Sequence, residues 1–159
     1  MKKLLNHTFV INNFPVKVVL KKMPKNPKIY GQYFPLARGG KIEIYDNSIR
    51  TFYHEFTHAI MDANGLFLDE IIDNFTEELL CEKMAVLLAT EYNLTPHWDY
   101  ENKHHDLGFL EEDIHKILTF SLKDNKNSEI LKDNLMSAFF HSLDTNFKIT
   151  VRKRVKENV

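Results

Sequence analysis

The chain predicts an α+β fold, a small sheet followed by a set of helices, and three observations carry that expectation. Period-two alternation and β-branched weight gather in the first 46 residues. Apolar residues at helical spacing dominate the chain after Ser48. With 159 residues and 43% hydrophobic content there is material for one contiguous core, so a single domain over 1–159 is expected.

The first strand is read at Thr8 to Ile11, with Asn12-Asn13 as a turn and a second strand from Phe14 to Lys22, which together make a hairpin. Pro24, Pro27, Pro35, Gly31, Gly39 and Gly40 then punctuate Met23 to Gly40, which reads as a long irregular connection. Lys41 to Asp46 alternates polar and apolar and is expected to be an edge strand. A helix comes next, from Ser48 to Asn64, capped by Asp46-Asn47-Ser48 before it and closed by Gly65. Further helices are predicted at Asp73 to Tyr92, Leu110 to Lys123 and Ser128 to Leu143, each with an apolar face. A loop rich in His, Asp and Tyr separates the second from the third, and the charged stretch from Val151 to Val159 is expected to fray.

A net charge of -1, from 21 basic and 22 acidic residues, argues against nucleic acid or an anionic membrane as a partner. The one cysteine, Cys81, cannot form an internal disulfide, which fits a reducing compartment. Asn6, His7 and Thr8 interrupt the apolar start before a signal-peptide core can form. No stretch approaches the ~20 apolar residues that span a bilayer, so a cytoplasmic protein is expected. The oligomeric state is not written in the sequence.

The chemistry lies in His54-Glu55-Phe56-Thr57-His58, the H-E-x-x-H pattern. Residues four apart on a helix differ by about 40° in rotation and about 6 Å in rise, so both imidazoles can face one metal ion. Glu55 points beside that ion, where it can take a proton from a water the metal has acidified. A catalytic zinc takes three protein ligands and leaves a fourth position open. For the third, the next helix offers Glu77, Glu78 and Glu82. Glu78 is preferred because Cys81, Met84 and Ala85 place a buried stripe near its side of the helix. Glu77 is expected to lean about 100° away. Glu82, one turn beyond Glu78, can orient His54 through the ring's other nitrogen.

His54-Glu55-x-x-His58, with Glu78 twenty residues further on and an acidic residue four beyond that, resembles the gluzincin arrangement of zinc metallopeptidases. Metzincins differ, and their glycine and third ligand would fall on Met61 and Asn64. The segment Glu78-x-x-Cys81-Glu82-x-Met84-Ala85 is similar to the matching helix of phage and bacterial zincin-like proteins, including the ImmA/IrrE-type peptidases. The likeness covers Tyr30 to Tyr92, and Cys81-Glu82 stands where Ala-Asn is common. It implies a zincin-like fold, a small N-terminal sheet packed on the metal-binding helix with additional C-terminal helices. It also implies Zn2+ held by His54, His58 and Glu78, and a peptide or protein substrate hydrolysed with Glu55 as base and proton carrier. An oxyanion donor is sought among His97, His104, His105, Tyr30 and Tyr33, which lie in the two irregular stretches. His115 and His141 fall within helical patterns and read as structural. A substrate strand is expected to add along Lys41 to Asp46. One rival reading is a zincin-like domain that binds zinc without hydrolysing anything and serves as an interaction module. Another is a metal-free helical module that presents Phe139, Phe140 and Phe147.

Overall fold

The computed structural model describes residues 7–23, 29–65, 72–94, 105–106, 108–147 and 149–150. Asn12 and Asn13 both adopt left-handed backbone angles, φ 50° and 62°, as a two-residue hairpin turn requires. They join β1 (His7–Ile11) to an antiparallel β2 (Phe14–Leu20). Two further strands come next, β3 (Gly31–Leu36) and β4 (Gly39–Ile44). β4 runs parallel to β2 and antiparallel to β3, giving a mixed sheet in the order β1-β2-β4-β3.

This order corrects two expectations. The stretch from Met23 to Gly40 is not irregular throughout, because it contains β3 and the start of β4. The strand expected at the edge is central, hydrogen-bonded on both sides, and so has no free edge for a substrate. The outer strand is β3, and that position explains Pro35, whose missing N–H is tolerated where no further strand accepts it. Gly40 matters for a related reason. A Cβ there would lie 2.5 Å from the Tyr33 hydroxyl and 2.7 Å from its ring, so only glycine lets the Tyr33 ring lie across β4.

Helix α1 (Ile49–Ala63) begins where Ser48 Oγ accepts the Thr51 N–H, and Asp46 holds the Thr51 hydroxyl at 2.8 Å. α2 (Asn74–Ala85) is capped by Asp73, which accepts the Thr76 N–H at 2.7 Å. It runs on as a π-helical stretch, Val86–Glu91. α3 (Gly108–Ser121) and α4 (Ser128–Phe147) complete the helices, and a short parallel pair joins β5 (His105–Asp106) to β6 (Ile149–Thr150). No described helix is long and apolar enough to cross a membrane.

The core lies between the sheet and the helices, and its centre is aromatic. Phe9 of β1 meets Phe52, Phe56 and Phe147 with ring centroids 5.5, 5.6 and 5.3 Å apart. Phe139, Phe140 and Phe147 are all buried, so the aromatic surface that a metal-free module would present is part of this core. At the outer side of β1, Asn146 accepts the Val10 N–H at 3.0 Å and donates to the Val10 carbonyl at 2.9 Å.

Phe9→Ala removes the ring that joins β1 to α1 and α4. A loss of about 3–5 kcal/mol of unfolding free energy is expected in urea titrations; a loss under about 1 kcal/mol would show that the cluster does not bind the sheet to the helices.

Candidate metal centre

His54 and His58 sit one turn apart on α1, with ring centroids 5.2 Å from each other. α2 packs against them and presents three glutamates. Glu78 meets both inner nitrogens, with Oε2 at 3.1 Å from His54 Nε2 and Oε1 at 2.9 Å from His58 Nε2. Each outer nitrogen has its own carboxylate: His54 Nδ1 meets Glu82 at 3.1 Å, and His58 Nδ1 meets Glu77 at 3.0 Å. Arg50, one turn before His54, ion-pairs with Glu82 and ties that carboxylate to α1.

Glu77 is therefore not turned away as expected but is buried, 6% exposed. The reason lies in the buried set of α2, Glu77, Leu80, Cys81, Met84 and Ala85, which forms one helical stripe with Glu77 as its first member. Counting back four from Cys81 and seven from Met84 reaches this residue. The sequence marks Cys81 only as part of that stripe. Its sulfur and one ring nitrogen from each of His54 and His58 lie within 4.8 Å of one another.

Glu55 sits beside the pair, 8% exposed, under β3. The Tyr33 backbone N–H donates to its carboxylate. The close approach of strand and helix depends on Gly31, where a Cβ would fall 2.5 Å from Thr51 Cγ2 and 3.4 Å from Glu55 Cγ. No motif in the sequence signals this glycine's role, because its neighbours come from another element. A cavity of about 750 Å³ opens over the group, walled by Ile29 to Tyr33 on one side and by α1 and α2 on the other.

The remaining candidates are dispersed. Tyr30 is exposed at the cavity wall, and its carbonyl accepts the Tyr45 N–H at 2.8 Å. The Tyr33 hydroxyl donates to Asp62 at the far end of α1, so this residue serves the site through its backbone. His105 lies in β5, while His97 and His104 fall outside the described residues. His115 and His141 lie in α3 and α4.

Among the described residues, Asp46, Glu55, Glu77, Glu78 and Glu82 line the cavity against one guanidinium, Arg50. That excess of negative charge shapes the titration. Burial opposes charge on His58, yet the Cys81, Glu77 and Glu78 side chains around it push its imidazole up to about 12. The His58 hydrogen bond, against the cost of burial and with help from His54, holds Glu78 down to about 2. Burial lifts Glu55 to about 7. In the metal-free chain a proton on His58 thus sits between two carboxylates. Two imidazoles, a shared carboxylate and a thiol, with the outer ring nitrogens already held, form a donor set suited to a divalent cation.

No protein-family model, curated protein or solved structure matches this chain.

The elevated Glu55 carboxyl has a stability consequence in the metal-free protein. Its folded pKa of about 7 exceeds the ordinary 4.5, so its favourable contribution is complete below about 4.5 and is lost as pH rises through about 7. Glu55→Gln cannot ionise and should be more stable than wild type near pH 8, by up to about 3 kcal/mol, with the gain vanishing near pH 4. Urea titrations in chelator at both pH values check this; an equal difference at the two would remove ionisation as the cause.

Proposed function

We propose that this chain is a zinc-dependent peptidase with a gluzincin-type site on a zincin-like fold, in which His54, His58 and Glu78 hold the metal. The observation that carries the reading is the convergence of both Nε2 atoms on the two oxygens of Glu78, while each Nδ1 is tied to a separate carboxylate. Rings oriented this way have their ligating nitrogens pre-aimed, and the outer carboxylates strengthen them as donors. Glu77 and Glu82 take that orienting role.

Zinc, when bound, supplies Lewis acidity, drawing electron density from a water and from a substrate carbonyl. Glu55 then does the proton work. Its carboxylate, held by the Tyr33 N–H, takes a proton from the attacking water and returns it to the leaving amine. In the metal-free chain burial raises this carboxyl to about 7, and a bound cation beside it would lower it, favouring the carboxylate form that accepts the proton.

An extended peptide fits along the outer strand β3. Among the described residues that strand is the edge of the sheet on the cavity side, and Gly31 to Tyr33 line the cavity beside Glu55, whose carboxylate already takes the Tyr33 N–H, so pairing uses the other backbone groups of this stretch. Backbone pairing there brings a peptide carbonyl past the two imidazoles.

Purified wild type should contain one zinc per chain by elemental analysis, and His58→Ala none after dialysis against chelator at matched circular dichroism. Glu78→Ala should yield its zinc to a chelator that wild type resists. Zinc held equally well by Glu78→Ala would move the third ligand elsewhere, and a wild type that takes no zinc even after resupply would end the enzyme reading. On unstructured polypeptide substrates, Glu55→Gln should keep its zinc and lose roughly 10²–10⁴-fold in kcat; cleavage at the wild-type rate would remove Glu55 from the reaction.

A further inference from the structure

Cys81 is the one cysteine of the chain, and it lies at the candidate centre in hydrogen-bond contact with His58. Its thiol is fully buried, and its sulfur is within 4.8 Å of a ring nitrogen of both His54 and His58. The rings do not need it for orientation, because Glu82 and Glu77 already hold the outer nitrogens and Glu78 faces the inner ones. Three residues separate Cys81 from Glu78 on α2, which puts both on the face turned to α1, Cys81 at the deeper level and Glu78 half exposed toward the cavity.

Resting on the reading of this site as a zinc centre, we propose that Cys81 is a fourth protein ligand to the same metal, occupying from beneath the position that a catalytic site leaves to water. The exchange is a simple ligand substitution. The thiol would release one proton to solvent and its sulfur would take the coordination position that a water gives up; nothing is oxidised or reduced. A shell of two imidazoles, one carboxylate and one thiolate is closed, and closed four-ligand shells belong to resting or structural zinc. Hydrolysis at this centre would then require a water to displace Cys81 from that position. Thiolate also biases the site toward soft ions over the hard, oxygen-seeking ones.

Cobalt(II) in place of zinc reports this directly, since sulfur bound to cobalt gives an intense near-ultraviolet charge-transfer absorption that nitrogen and oxygen ligands do not. Wild type, Cys81→Ala and Cys81→Ser are each loaded with cobalt and assayed for metal content, and their folding is matched by circular dichroism. The expected result is one cobalt per chain in all three, with the charge-transfer band in wild type alone and a roughly tenfold or greater loss of cobalt affinity in the variants by chelator competition. One cobalt per chain in wild type without the band would overturn the Cys81 assignment and leave the metal centre standing. No stoichiometric cobalt or zinc in any form would overturn the centre itself, and the Cys81 ligand with it.

Discussion

The contact between α1 and α2 governs the structure, because it sets two imidazoles against three carboxylates, with the His58–Glu77 pair buried and Glu78 and Glu82 half exposed at the cavity. Such a group is no source of stability on its own. Desolvating several charges costs more than their attraction returns unless every partner is in place. The placement here is nearly complete: both nitrogens of each ring have a carboxylate, and Arg50 closes the chain at Glu82. The opposite side of α1 is anchored to β1 and α4, where Phe52 and Phe56 pack on Phe9 and Phe147. α1 is thus a two-sided element, apolar toward β1 and α4 and chemical toward α2 and β3.

Tyr33 shows how the sheet is fitted to that chemistry. Its N–H reaches Glu55, its ring lies over Gly40, and its hydroxyl bonds Asp62 one turn beyond His58. One residue therefore sets the height of β3 above α1 at both ends of the motif. Gly31 and Gly40 are the two positions where any side chain would push the strand away. The base is buried because the strand comes so close, and burial is what raises its pKa.

The range of each interaction decides how much of this is legible in the sequence. Helix α1, its Ser48 cap and the paired His54 and His58 depend on spacings of three and four residues, and such patterns are local. The hairpin turn at Asn12-Asn13 is equally local. β3 is hidden because glycine and proline weigh against a strand until one knows that the strand is an outer one, which is a property of the sheet and not of the segment. The position of β4 inside the sheet is lost for the same reason: alternation reports a buried face and says nothing about neighbours. Glu77 is a different matter. The apolar stripe that locates it is visible, but a glutamate is not counted as a core residue until its partner, His58, is known.

The Asn146 carboxamide occupies both backbone groups of Val10 much as an adjoining strand would. It stands at one rim of the sheet, while β3 forms the other. Exposed strand rims invite self-association, and proteins block them with side chains, charges or prolines. Here a side chain guards the β1 rim, and Pro35 lies within the β3 rim near its distal end. On the cavity side Glu55 takes the Tyr33 N–H, so a carboxylate that lines the cavity also caps part of the β3 rim.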